Sequence, residues 1–370
     1  MTQNWPPAPG QQWPGSSGWN PPASSWPPPP PPPSALPQPG AAFSQQPSYG
    51  TPGSFTPPPP RRRNPFLTIL GGAVFVVIAA FFAVTLLNYL GGDEDTATPG
   101  SDPSYHQVSD VPAPDYNPPA IPQPKTYEQA TAWMQKNAIY REDVPVPTNC
   151  VVPAINSANA STAELENHLN KLTACLWGVW DPPMTSAGFV LPRPPATVYS
   201  SEITTPCGKT ESGNAFYCAV DQHIYYATDL PDILPKSIRN KPFVTDAVMA
   251  HEFGHAIQAR TGILVSEKAW EQKGSEADGR VYSRRTEVQA DCFAGLWVNA
   301  IAKASGVTAS DEDNLTYLFF TIGDDQLTGK ANYDGDHGLG KNRQSWFTVG
   351  LGTSQIGKCN TFTASANAVR

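Results

Sequence analysis

The chain has 370 residues, of which 15% are charged and 39% hydrophobic, below the roughly 25% and 45–50% of an ordinary globular protein. Half of its 42 prolines lie in the first 60 residues, a stretch without a single Asp, Glu, Lys or Arg, which excludes one evenly mixed soluble domain. The net charge of −8 argues against a nucleic-acid binder, because such proteins carry a basic surplus.

Residues 1–60 show no helical or strand period, and Pro27 to Pro33 form an unbroken run suited to polyproline II. They read as a disordered, proline-rich cytoplasmic tail, either a plain tether or a docking site for a proline-recognising partner. A basic flank, residues 61–65, carries Arg61, Arg62 and Arg63. Residues 66–90 then hold no charge over 25 positions, enough for a transmembrane helix, which needs about 20 apolar residues. The arginines before this span and Asp93, Glu94 and Asp95 after it place the N-terminus in the cytoplasm and the remainder outside. The expected location is thus a single-pass protein of the cell membrane. Residues 91–125 contain eight prolines, six acidic residues and one lysine, the composition of a stiff acidic spacer. Residues 126–370 regain mixed patterning and form the expected folded domain.

All six cysteines lie in that last region, which fits an oxidising compartment and up to three disulfides. Proximity along the chain favours Cys150–Cys175, Cys207–Cys218 and Cys292–Cys359 among the 15 pairings that six cysteines permit.

The chemistry concentrates in His251-Glu252-Phe253-Gly254-His255. No proline interrupts residues 244–260, and Gly262 is placed to end a helix there. On a helix, positions i and i+4 share a face, so His251 and His255 can grip one metal ion, with Glu252 beside it as general base. Catalytic zinc takes three protein ligands and leaves one position open. A second helical run supplies Glu287 as third ligand, with Asp291 one turn on as acceptor for the outer N–H of a ligand histidine. His106, His168 and His223 read as non-ligands. His337, in a glycine-rich loop, is a candidate oxyanion stabiliser. Asp334 and Asp336 beside it do not meet the twelve-residue calcium-loop pattern.

The two helices resemble the gluzincin arrangement, His-Glu-x-x-His followed by Glu-x-x-x-Asp. The stretch from Glu287 to Trp297 is similar to the neutral zinc metallopeptidase family of bacteria. Phe216-Tyr217-Cys218, Asp221 and Ile224-Tyr225 before the first helix fit it too, as do His337-Gly338 and Arg343-Gln344-x-Trp346-Phe347 after the second. The resemblance spans residues 207–350 and implies a zincin-like α+β fold with peptide-hydrolysing activity. It also implies that an edge strand between Cys207 and Tyr226 pairs with extended substrate. The resulting expectation is a membrane-anchored metallopeptidase with one catalytic zinc, acting on peptide or protein substrates or on an amide of cell-wall peptide. The alternative is a catalytically silent, zinc-stabilised envelope-binding module whose tail docks cytoplasmic partners.

Overall fold

Helices dominate residues 104–370, the part of the chain that the computed structural model describes. Strand β1 (His106–Gln107) and helix α1 (Tyr127–Gln135) come first, then β2 (Thr148–Asn149) and the long α2 (Thr162–Ser186). Five short strands follow: β3 (Ala196–Tyr199), β4 (Thr204–Thr205), β5 (Gly208–Lys209), β6 (Ala215–Cys218) and β7 (His223–Ala227). The rest is helical: α3 (Val244–Arg260), α4 (Ile263–Lys273), α5 (Glu276–Ser305), α6 (Ala309–Thr321), α7 (Asp324–Thr328) and α8 (Gly340–Leu351). This is a helix-rich member of the α+β class. The tail (1–60), basic flank (61–65) and membrane span (66–90) expected from the sequence lie outside the described residues. Among the described residues no helix is long and apolar enough to cross a membrane.

Three helices begin with reciprocal caps that their sequences encode. Ser161 and Glu164 open α2, Ser275 and Asp278 open α5, and Thr308 and Asp311 open α6, each pair satisfying two otherwise orphaned N–H groups. Helix α2 runs through Pro182 and Pro183. Interior prolines cost a helix about 3 kcal/mol. Burial of Trp180, Pro183 and Met184 around them offsets that cost.

Strand order in the central sheet is β3-β7-β6, with β7 parallel to β3 and antiparallel to β6. β6 is therefore an edge strand. The β4–β5 hairpin is tied to its end by the Cys207–Cys218 disulfide. Two more bridges join Cys150 to Cys175 and Cys292 to Cys359; the latter fixes the C-terminal 3-10 turn Ile356–Cys359 to α5.

Helix α3 lies in the middle of the core, and every residue of it except His255 is buried. Gly254 explains how close α5 comes: a Cβ there would meet Ala290 Cα at 3.2 Å. At Gly295 and Gly350 a Cβ would overlap the facing backbone of α8 and α5. With α5 held between α3 and α8, Glu287 and Asp291 face the two histidines of α3.

The part of the expected spacer that is described, residues 104–125, does not stand free but lies along the domain. Val108 fills the space beside Gly178. Arg193 Nη1 donates to Pro112 O at 2.8 Å, and Arg260 Nη1 to Pro119 O at 2.8 Å and Ala120 O at 3.2 Å. Proline lacks an N–H but keeps its carbonyl, so a proline-rich strap can still serve guanidinium donors of the domain.

Candidate metal centre

His251 and His255 sit on one face of α3, and Glu287 faces them from α5, with ligand atoms of all three within 4.8 Å of one another. His251 Nε2 is 3.3 Å from Glu287 Oε2, and His255 Nε2 is 3.6 Å from Oε1. A tetrahedral zinc with bonds of about 2.0–2.1 Å separates its ligands by about 3.4 Å. The donor set and its spacing therefore fit zinc.

Both histidines have their other ring nitrogen engaged, leaving Nε2 for an ion. His255 Nδ1 meets Gln258 Oε1 at 2.8 Å, and Gln258 Nε2 donates to Thr286 O and Gln289 Oε1. His251 Nδ1 is 2.8 Å from Asp291 Oδ1, an ion-pair distance rather than an aligned hydrogen bond. Asp291 is in turn clasped by Arg343, whose Nε reaches Oδ2 at 2.9 Å and whose Nη2 reaches Oδ1 at 2.8 Å. Outer partners of this kind fix the tautomer and orientation of ligand histidines.

The charges follow from burial and these neighbours. Burial works against a proton on His251, but Asp291 and Glu287 override it and raise its pKa to about 10. Burial lowers His255 to about 4, against the pull of Glu287. Burial also opposes ionisation of Glu287, yet His255 and His251 hold it well below the usual carboxylate range. Metal binding has to displace the proton of His251, so affinity is coupled to pH.

Glu252 is buried and points into the same space. Its Oε2 accepts the Tyr217 N–H of the β6 edge at 2.9 Å. Burial first, then Glu287, raises it to about 7, against His251 and the Tyr217 N–H. The site opens into a cleft of about 460 Å³ lined also by His337 and Arg343. His337 Nδ1 is 3.2 Å from Asp324 Oδ1, while Asp324 Oδ2 accepts the backbone N–H of His337 and of Gly338 at 2.9 Å each. Burial disfavours charge on His337, but Asp324 and Glu287 raise its pKa overall.

The structure thus gathers His251, Glu252, His255, Glu287 and His337 around one cleft, with Asp291 directly behind. The remaining histidines lie elsewhere. His168 is buried and pairs with Asp246 Oδ1 at 2.7 Å, and His223 meets Thr197 Oγ1 at 2.8 Å. Asp334 is taken by Arg280 and Arg284. Sequence reasoning missed Gln258 and Asp324, and placed Arg343 in a family motif without a role. The i, i+3 spacing of His255 and Gln258 was a usable signal; the other two reach the site only through tertiary packing.

Two relatives are similar to part of the chain. The uncharacterized protein Rv2575 of Mycobacterium tuberculosis is 35% identical over 191 residues, covering 47% of this chain and 64% of its own length. The uncharacterized protein YpfJ of Escherichia coli K12 is 30% identical over 190 residues, covering 50% of this chain and 66% of its own. No solved structure matches the chain. The family match covers residues 145–362, wider than the motif resemblance and more than half of the chain, and by it this protein belongs to the "Putative neutral zinc metallopeptidase" family.

Proposed function

We propose that the protein is a zinc-dependent metallopeptidase of zincin type, acting on peptide or protein substrates. One observation carries the reading: a general base, Glu252, lies buried beside a His-His-Glu ligand set and opens into the same cleft. A purely structural metal site has no use for such a base. The chemistry that one zinc ion supplies when held by His251, His255 and Glu287 is Lewis acidity, which polarises a carbonyl and makes water nucleophilic near neutral pH.

The chain's own residues do the rest. Glu252 has Oε2 anchored by Tyr217 N–H, which leaves Oε1 to take a proton from the attacking water and pass it to the leaving amine. His337, steadied by Asp324, donates to the oxyanion that develops on the carbonyl. The β6 edge beside Glu252 offers backbone groups to an extended substrate, the pairing that the family resemblance implies.

The reading includes membrane anchoring. The charge-free residues 66–90 behind Arg61 to Arg63 support a single span with the tail in the cytoplasm and the catalytic domain outside. The proline run in that tail supports a cytoplasmic proline-recognising partner.

The test uses the full-length, oxidised protein in detergent, with bound zinc measured and a mixed peptide library supplied as substrate. Hydrolysis is expected from the zinc-loaded protein and its loss in Glu252→Ala with zinc retained. Undiminished hydrolysis by that variant would sink the assignment.

A further inference from the structure

The cleft over the metal centre changes character away from its ligands. Leu230, Ile233 and Leu234, from the 3-10 turn after β7 and its end, line it together with Val248. Ile322, at the end of α6, and Leu327, on α7, add to the same lining. Val248 stands three residues before His251 on α3, one turn away on the same face. The apolar surface therefore begins directly beside the reacting centre.

Its outer part is open to water. Ile233 is 39% exposed, Tyr333 40% and Leu327 49%, and all three line this cleft. Single exposed apolar side chains need no explanation, but three gathered at the mouth of one cavity mark a binding surface.

Charge narrows the ligand further. The cleft lining carries Glu211, Glu252, Glu287 and Asp324. Its two basic side chains are engaged: Lys209 with Glu202 at 2.6 Å, and Arg343 with both oxygens of Asp291. His337 is held by Asp324. The one buried base of the lining, Arg343, is spent on Asp291, and Lys209 lies exposed at the rim with an acidic neighbour of its own.

We propose that this cleft selects peptide bonds flanked by a bulky apolar side chain, aliphatic or aromatic, and rejects acidic neighbours. The inference rests on the peptidase reading and sharpens its substrate class: protein segments rather than the carboxylate-rich stem peptides of cell walls. Ile233 and Leu327 are the specificity-determining side chains, since they meet the substrate's apolar group at the open end.

Two measurements on the full-length protein test this. In the first, cut sites in a mixed peptide library are mapped by mass spectrometry with the zinc-loaded protein. Leu, Ile, Val, Met, Phe or Tyr should be enriched about tenfold over Asp and Glu at one position flanking the cut, the discrimination an apolar pocket supplies. Ile233→Asp and Leu327→Asp, both at exposed positions, should raise KM for apolar substrates with zinc content unchanged. Cut sites without that enrichment, or either variant behaving as the parent, overturns the proposal. In the second, Glu252→Gln is titrated with acetylated, amidated tetrapeptides that differ only in a central Phe or Glu. Tighter binding of the Phe peptide, lost in the Ile233→Asp double variant, is expected. Equal binding of the two overturns the proposal even where no peptide is cleaved, whereas absence of all cleavage with preferential Phe binding overturns the peptidase reading alone.

Discussion

Asp291 serves a histidine and an arginine at once with none of its own surface exposed. An unpaired carboxylate in that position would be costly, and Arg343 removes the cost with two hydrogen bonds while its third nitrogen binds Ile322 O at 3.1 Å. Asp291 holds Arg343 charged despite its burial. The pair thus fixes the position of His251 from behind, as Gln258 does for His255. Asp291→Asn is expected to weaken zinc binding by about 10–100-fold, the usual effect of losing such a partner. It also strands Arg343, at a stability cost of about 3–5 kcal/mol. Arg343→Met likewise takes two hydrogen bonds from Asp291 and leaves it only His251. The double variant Asp291→Asn/Arg343→Met leaves no buried charge unpaired, so its loss of stability should be well below the sum of the singles. Chelator competition for zinc and urea unfolding measure the two effects. Additive losses would show that the two side chains act independently.

At the scale of the element, helix α4 carries a carboxyl whose ionisation burial does not favour. Glu267 is fully buried, neither carboxylate oxygen has a hydrogen-bond partner, and the nearest cation is Lys268 Nζ at 3.5 Å. Burial raises its pKa to about 8 from an ordinary 4.5, with Lys268 opposing and Glu271 adding to the rise. The folded chain therefore keeps this proton across a range where the unfolded chain has released it. Its contribution to stability is complete below 4.5 and is lost as pH rises through about 8. Urea unfolding should show the parent losing stability from about pH 5 to 8, with a slope of up to about 1.4 kcal/mol per pH unit from this group. Glu267→Gln should flatten that slope, and an unchanged slope would assign the loss to other groups. Nothing in the local sequence marks Glu267, because Glu on a helix is ordinarily solvated. The same holds for His168, whose partner Asp246 is brought to it only by the packing of α2 against α3. The motif helices were legible for the opposite reason. In α3 and α5 the chemical residues recur at the helical period, and their neighbours are apolar enough to show which face is buried. Gly254 belongs to the motif's unspecified middle. Its value, a close approach to Ala290, becomes visible only once α5 is in place.

At the scale of the whole molecule, composition located the folded part but set its start too late. Proline and acid content made residues 91–125 look like a spacer, yet Ile121 packs against the core and Val108 fills the place beside Gly178. What composition does not reveal is demand from elsewhere. Arg260 ends α3 one turn beyond His255, is only 7% exposed, and finds acceptors at Pro119 O, Ala120 O and Val190 O. Arg193 likewise spends one nitrogen on Pro112 O and returns its own carbonyl to Asp115 N. A chain beginning at residue 126 removes Pro112 O, Pro119 O and Ala120 O while keeping the donors and Val190 O. Each lost hydrogen bond costs about 0.5–1.5 kcal/mol and Val108 and Ile121 lose their packing, so the truncated domain should be less stable than one beginning at residue 104 by about 2–4 kcal/mol. For a domain of this size that is a fall of roughly 5–15 °C in Tm. Scanning calorimetry of the two lengths measures it. Arg260→Met, with a side chain that asks for no acceptor, should recover part of the loss in the short form and be destabilising in the long one. Equal Tm values for the two lengths would show that the strap is only laid on the surface, whereas the opposite signs for Arg260→Met would place it within the fold that holds the end of the metal-binding helix.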